Sequence, residues 1–251
     1  MTWVFLSPHL DDVALSCGGL VWEQTRRGIE AEIWTICAGD PGEGALSPFA
    51  QSLQARWELG NRATAIRREE DVAACAVLGA RPCHLPVPDC IYRRSPVTGE
   101  ALYASEQALF GGLHPEETGL IVELTHLLQN QLPSQVELVC PLTLGSHVDH
   151  LLTRAAAEKL GSRLWYYADY PYVERQTPEG SGLLPPGCQK EIFPISEVGV
   201  SAWVQSVAAY QSQISTFWES LAAMEAALRN YWLRGGGVIL WHTGGGSEHR
   251  P

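Results

Sequence analysis

Apolar runs alternate with helix-length segments along most of this chain of 251 residues. The runs lie at positions 3–6, 32–38, 83–87, 137–141 and 163–168, and helix-forming stretches separate them at 12–27, 62–78, 115–131 and 150–160. Strands that alternate with helices in this way pair in parallel, and the helices cover both faces of the sheet. We therefore expect an α/β fold with one Rossmann-like domain and a mainly parallel sheet.

The remaining segments are assigned with less detail. Residues 189–193 are expected to form an edge strand, and residues 201–234 to hold two helices. The tail from about residue 235 receives no assignment. Repeats and linkers are not visible in the sequence, so we expect one domain over residues 1–251. Loops at 39–49 and 89–113 follow strand ends and are longer than a simple connection needs.

Composition narrows the classes of partner. The formal net charge of -11 disfavours nucleic acid, whose phosphates are bound by clusters of lysine and arginine. The sequence has neither a basic leader with an apolar core nor an apolar run of the ~20 residues that a membrane span requires. We expect a cytoplasmic protein, and its seven cysteines, without a CxxC pair, to be free thiols. The sequence leaves the oligomeric state open.

A histidine and two aspartates follow the first apolar run directly, in SPHLDD at residues 7–12. Ligands of parallel sheets bind where such strands end. His9 and Asp12 are three residues apart, so both can turn toward one point, with Asp11 beside it. This motif alone is equally compatible with a helix cap supplied by Asp11 or Asp12 and an ordinary loop histidine.

A second cluster follows the fourth apolar run, in GSHVDH at residues 145–150. Two such clusters at corresponding strand ends are not explained by capping alone. Zinc in hydrolases takes three ligands from histidine and carboxylate side chains and keeps a position for water. His9, Asp12 and His150 would supply that set, and Asp11 would remain uncoordinated.

These residues resemble the PIG-L/LmbE family of zinc-dependent N-deacetylases, whose motifs read [A/P]HxDD and HxDH. The order of PHLDD and HVDH matches, and RREEDVAACAVLG at residues 67–79 and VPD at residues 87–89 are similar to further family blocks. The resemblance covers roughly residues 1–170. The loop at 39–49 departs from the family pattern, which bears on the substrate.

The resemblance implies a role for each residue. His9, Asp12 and His150 would bind Zn²⁺, with other divalent metals such as Fe²⁺ left open. Asp11 would be the general base. His147 would stabilise the oxyanion or act as an acid, with Asp149 holding its ring. Arg67 and Asp89 would bind sugar hydroxyls, although Arg67 could instead pair with a nearby glutamate on its helix.

The expected activity is therefore removal of the N-acetyl group from an N-acetylglucosamine-containing small molecule by zinc-activated water. Two alternatives remain at this point: an amidase or esterase acting on another small conjugate, and a non-catalytic module that binds metal or sugar. The sequence does not name the aglycone, and it does not say whether Asp11 or His147 protonates the leaving amine.

Overall fold

The computed structural model describes residues 1–57 and 59–243. Its strands are β1 (Thr2–Ser7), β2 (Ala31–Thr35), β3 (Arg81–His84), β4 (Val136–Pro141), β5 (Leu164–Tyr167), β6 (Cys188–Phe193) and β7 (Val238–Thr243). They form one sheet in the order β3-β2-β1-β4-β5-β7-β6. The first five strands in that order are parallel, and β7 pairs antiparallel with both of its neighbours.

The α-helices of the described residues are α1 (Asp12–Arg26), α2 (Pro48–Arg56), α3 (Ala63–Leu78), α4 (Glu106–Leu109), α5 (Thr118–Gln131), α6 (Val148–Glu158), α7 (Pro178–Ser181), α8 (Glu197–Ala208), α9 (Gln211–Phe217) and α10 (Leu221–Gly235). Side-chain hydroxyls cap several of their N-termini; Ser47, Ser196 and Ser220 each accept a hydrogen bond from a backbone N–H of the first turn. Helix α3 ends at Gly79, whose φ of 71° is a left-handed conformation that glycine adopts without strain.

The two faces of the sheet are covered by different helices. Phe5 of β1 points into a core shared with α1, α3, α8 and α10. Its neighbours Val4 and Leu6 point into a second core shared with α5 and α6. Strand side chains alternate between faces, so one buried strand contributes to both cores. The predicted fold class, a single α/β domain with a mainly parallel sheet, is confirmed.

Helices α1 and α8 approach each other closely because α1 carries two adjacent glycines. The indole of the fully buried Trp203 on α8 lies against Gly18 and Gly19. Its Nε1–H donates a hydrogen bond to the carbonyl of Ala14 at 2.7 Å. A side chain at either glycine would occupy the volume that the indole fills.

The structure differs from the expectation in its last third and in one loop. The segment expected to hold two helices holds three, because the chain bends at Tyr210 and again at Trp218. The unassigned tail contributes β7, which separates the predicted edge strand from β5; residues 244–251 lie outside the described residues. Helix α2 begins within the loop expected at 39–49, where Ser47 and Pro48 supply a cap and a first helical residue.

The sheet order also locates the site. Chain connections run outward on one side through β2 and β3 and on the other through β4 and β5, so the order reverses between β1 and β4. Ligands of open α/β sheets bind in the crevice at such a switch point, beyond the carboxyl ends of the strands. Both His/Asp motifs follow the strands that flank it.

Candidate active site

Two histidines and one aspartate meet beyond the ends of β1 and β4. One carboxylate oxygen of Asp12 lies 3.2 Å from His9 Nδ1, and the other lies 3.4 Å from His150 Nε2. The far nitrogen of each ring is held by a second carboxylate. His9 Nε2 is 2.9 Å from Asp149, and His150 Nδ1 is 2.6 Å from Asp169.

This donor set has the chemistry of a zinc or other divalent metal site. Two imidazoles and one carboxylate are a common ligand set for catalytic zinc, and carboxylates on the far ring nitrogens orient such ligands. His9, His147 and His150 also bring one ring nitrogen each within 4.8 Å of one another. Asp12 fits the third ligand position better than His147, because one of its oxygens lies close to each of the other two ligands and its carboxylate, with a lowered pKa, carries negative charge.

Asp11 lies beside this group and contacts the guanidinium of Arg67 at 3.6 Å. Burial raises the pKa of Asp11 to about 6, although Arg67 opposes that rise. Arg67 itself is buried, lies over the ring of Trp57 at 5.1 Å, and has an Nε without a hydrogen-bond partner among the described residues. The glutamate partner considered for Arg67 is thus replaced by Asp11 in this structure.

His147 is the N-cap of α6, and its ring takes part in the cap. Nδ1 accepts a hydrogen bond from the backbone N–H of Asp149 at 3.2 Å. Because Nδ1 is an acceptor, a neutral ring carries its proton on Nε2. Burial, together with neighbouring His9, lowers the pKa of His147 to about 3. His147 is therefore a neutral ring that can donate a hydrogen bond from Nε2.

Asp149 has different partners from those expected. Its carboxylate, predicted to hold the His147 ring, is hydrogen-bonded to His9, to the backbone N–H of Cys90 and to the guanidinium of Arg93. Asp149 contacts the His147 ring through its backbone N–H instead. The side chain of Asp149 thus orients His9.

Arg93 and Asp169 are two further site residues, which sequence reasoning missed. The buried guanidinium of Arg93 bridges Asp149 and Glu117, and Glu117 accepts from the hydroxyl of Tyr103. Asp169 follows β5, so the strand-end rule that found the two motifs could have indicated it. Arg93 lies in an irregular loop, and no local pattern indicates it.

Asp89 lies at the edge of the same group. Its carboxylate caps a 3-10 turn through the N–H of Ile91 at 3.2 Å, and it is 3.9 Å from His9 Nε2. The structure therefore brings all eight residues predicted for the site to one cleft or its immediate surroundings. Asp149 lies beneath the cleft and is fully buried.

The loop between β4 and α6 is strained. Thr143, Gly145 and Ser146 have positive φ values of 70°, 81° and 59°. A β-branched residue rarely adopts this conformation, and such strain is found most often where function requires a fixed geometry. A Cβ on Gly145 would lie 2.5 Å from the ring of Tyr172. The close approach brings Tyr172 over the loop that carries His147.

A cleft of about 910 Å³, part of it open to solvent, lies over these residues. The histidines and aspartates form its floor. Its walls come from α2, from α4 and the residue after it, from the segment after β5, and from α9. Helix α3 contributes the buried guanidinium of Arg67 to the lining.

The fold and the cleft define an α/β protein whose topological switch point carries histidines and carboxylates arranged as in a metal-binding site. Residues 4–160 match the model of the PIG-L family, described as GlcNAc-PI de-N-acetylase. The chain belongs to this family.

Relatives and solved structures agree with this assignment. A 2'-N-acetylparomamine deacetylase of Niallia circulans is 30% identical over 190 residues, which cover 69% of this chain and 68% of the relative. A similar deacetylase of Streptomyces fradiae is 28% identical over 196 residues, covering 72% of this chain and 64% of that protein. The zinc-inhibited form of a teicoplanin deacetylase superposes with a TM-score of 0.81 at 26% identity, covering 96% of this chain and 97% of that one.

Proposed function

We propose that this protein is a zinc-dependent N-deacetylase that hydrolyses the N-acetyl group of an amino sugar conjugate. The observation that carries the proposal is the arrangement of His9, Asp12 and His150, with carboxylates on the far ring nitrogens and Asp11 beside the set. A non-catalytic metal-binding module does not need a second, uncoordinated aspartate that faces a cleft.

The metal ligands in this proposal are His9, Asp12 and His150. A bound zinc ion, or another divalent cation such as Fe²⁺, supplies a Lewis acid that acidifies water and polarises the amide carbonyl. Asp149 and Asp169 hold the two imidazoles in the orientation that binding needs.

Asp11 is the general base. Its carboxylate takes the proton of the attacking water and later passes it to the leaving amine, a role that requires a carboxylate within hydrogen-bond reach of both. Arg67, 3.6 Å away, balances the charge of Asp11 when its carboxylate is ionised. Arg67 thereby acts on the chemical step as well as on the binding of sugar hydroxyls with Asp89.

His147 stabilises the oxyanion of the tetrahedral intermediate. Its Nδ1 is occupied by the N–H of Asp149, so Nε2 carries the proton and donates it as a hydrogen bond. Because the ring donates this hydrogen bond while neutral, His147 does not need a nearby carboxylate to stabilise a positive charge. Protonation of the leaving amine is accordingly assigned to Asp11.

The substrate class comes from the relatives. The relatives reported above are named as deacetylases of 2'-N-acetylparomamine and of teicoplanin, and the matching family is described as a GlcNAc-PI de-N-acetylase. An N-acetylated amino sugar is what these names share. We therefore assign to this chain an N-acetylglucosamine unit with a group attached at its anomeric carbon.

Replacing Asp11 tests the mechanism. Asp11→Asn is expected to bind zinc as the wild type does and to release acetate at least ~100-fold more slowly, because an amide cannot accept the proton. Zinc content and acetate release from a panel of N-acetylglucosamine glycosides are the two measurements. Asp40→Asn, an exposed carboxylate paired with Arg68 outside the cleft, is the matched control.

Near-wild-type turnover by metal-loaded Asp11→Asn would remove Asp11 from this role. Cleavage of a simple ester or peptide amide, with no acetate from any N-acetyl sugar, would overturn the substrate class while leaving a metal hydrolase. Zinc binding without hydrolysis of any compound would favour the non-catalytic module.

A further inference from the structure

The walls of the cleft differ in chemistry from its floor. The floor is formed by charged and titratable side chains, whereas aromatic rings from separate segments dominate the walls. These rings belong to Phe49, Trp57, Phe110, Tyr172 and Phe217. A site that binds only the sugar and its acetyl group needs polar contacts around the sugar hydroxyls. It does not need five aromatic side chains in its walls.

The wall rings are incompletely buried. Phe110 is 40% exposed, and the other four have intermediate exposure. Folding normally removes large aromatic side chains from water, because each buries 150–250 Å² of surface, by rough estimate. Five partly open rings around one cleft are therefore a surface that a ligand can cover.

The apolar wall begins at the proposed catalytic residues without an intervening polar rim. The ring of Phe110 meets that of His147 edge-on, with centroids 5.4 Å apart. The centroid of the Tyr172 ring lies 6.2 Å from that of Phe110 and 6.0 Å from that of His150. A group attached to the reacting sugar would contact this wall.

The charges on the walls do not favour a cationic partner. Arg56 and Glu106 are the charged side chains that the walls contribute to the described lining, and they are exposed and of opposite sign. A polyamine requires several free carboxylates. Those on the floor already face Arg67 or the histidines.

The lining of the cleft also extends away from its floor. It reaches Phe49 and Arg56 on α2 and Phe217 on α9, and part of the cleft is open to solvent. A group attached to the sugar therefore has wall surface to contact.

We propose that these walls form an aglycone subsite, and that the preferred substrate carries an aromatic group, rather than a polycationic one, at the anomeric carbon of its amino sugar. This inference rests on the proposed deacetylase function. The aryl group packs between the wall rings while the acetamide meets the floor. Affinity for the aglycone comes from apolar and ring–ring contacts and requires no charge.

Matched glycosides test the subsite. The methyl, phenyl and 2-aminoethyl glycosides of N-acetylglucosamine, each as both anomers, are compared by kcat/KM for acetate release. The phenyl compound is expected to exceed the methyl compound by about tenfold or more, as burial of one ring predicts, and the aminoethyl compound to gain nothing. Calorimetric binding of the same glycosides to the Asp11→Asn variant supplies a readout without turnover.

Variants of the wall complete the test. Phe110→Ala should bring the phenyl-to-methyl ratio close to one, whereas Ile192→Ala, at an exposed position on β6 away from the cleft, should leave the ratio unchanged. Phe49→Ala, from a different segment, repeats the test if Phe110→Ala fails to fold.

The outcomes separate this inference from the function on which it rests. Acetate released equally from all glycosides, a preference for the aminoethyl compound, or an unchanged ratio in Phe110→Ala overturns the aromatic subsite and leaves the deacetylase. Tighter binding of the phenyl compound without acetate release from any glycoside supports the subsite and overturns the deacetylase. Failure of every glycoside to bind or react overturns both.

Discussion

Arg93 connects the proposed metal site to the loop before α5. Its guanidinium faces the carboxylate of Asp149, which holds His9, and the carboxylate of Glu117. All three charged residues of this bridge are buried. Arg93 is thus a positioning residue that acts on the metal through Asp149 and His9.

Replacing Arg93 should weaken metal binding. Arg93→Met leaves Asp149 without its cation, and loss of an outer partner of this kind costs about 10–100-fold in metal affinity or activity. Arg93→Lys keeps the positive charge but loses the planar guanidinium that can bond two carboxylates at once. This variant should therefore recover part of the zinc affinity. Zinc affinity is measured by competition with a chelator, at a temperature where each variant is folded.

Arg94→Met is the matched control, since the neighbouring Arg94 is hydrogen-bonded to the backbone carbonyls of Ala45 and Gly99. Removal of Arg93 also leaves two buried carboxylates without their guanidinium, and breaking a buried pair costs about 3–5 kcal/mol. The combined variant Arg93→Met with Glu117→Gln reduces that loss. Wild-type zinc affinity in the folded Arg93 variants would show that the bridge is only structural.

Local sequence indicated some site residues and not others. His9, Asp11, Asp12 and His150 could be named because each lies in the loop or the first helical turn that follows an apolar run, and each of these runs becomes a parallel strand. Arg93 could not, since its partners Asp149 and Glu117 are 56 and 24 residues away and only the folded loop brings them together.

At the scale of elements, the contact between α1 and α8 depends on the absence of side chains at Gly18 and Gly19. A Cβ on Gly18 would lie 2.6 Å from the Trp203 ring, which is fully buried and hydrogen-bonded. Overpacking of this kind costs about 1–3 kcal/mol. The gain in helix propensity from glycine to alanine is up to ~1 kcal/mol, so the clash outweighs it.

Gly18→Ala is therefore expected to lower the free energy of unfolding by up to about 2 kcal/mol. Gly119→Ala provides the contrast, because Gly119 lies in α5 with no atom within 4 Å of an added Cβ. That change should be neutral or stabilising by up to ~1 kcal/mol. Urea unfolding of both variants measures the difference. Equal stability would mean that Trp203 can move aside.

Elements with strong local signals were predicted well, and those decided by tertiary contacts were not. Strands β1, β4 and β5 are short apolar runs, and the predicted positions agree with the structure within about two residues. Helix α2 follows a loop rich in glycine and proline, and its apolar positions pack on a small local core that the sequence does not reveal. The place of β7 between β5 and β6 depends on pairing partners far along the chain.

At the scale of the molecule, the proposed ligands connect distant parts of the chain. His9 and Asp12 follow β1, whereas His150 lies about 140 residues later, at the start of α6. A metal that binds all three binds only the folded protein, so it stabilises the fold by mass action. Zinc at about 100 times its dissociation constant contributes about 2.7 kcal/mol.

For a chain of this size we expect zinc to raise the melting temperature by about 5–10 °C. Differential scanning calorimetry of chelator-treated and zinc-loaded protein measures the change. His150→Gln should lose most of it, and His126→Gln, at an exposed position on α5, should keep it. A shift of the same size in His150→Gln would place the stabilising zinc elsewhere.

The fold class and the family of the chain rest on direct comparison, whereas its location and domain boundaries do not. The fold class and the family are established for the chain, and no helix of the described residues is both long and apolar enough to cross a membrane. A cytoplasmic location and one domain over all of residues 1–251 stay predictions.

Strand order also has a consequence for synthesis on the ribosome. β6 pairs with β7 alone among the described strands, and β7 is the last of them to be translated. A nascent chain that has emerged only as far as α10 therefore carries β6 without a partner and β5 with an open edge, and exposed edges of this kind favour pairing with other chains. The final strand, far in sequence from the metal ligands, thus determines how long each new molecule remains prone to aggregation.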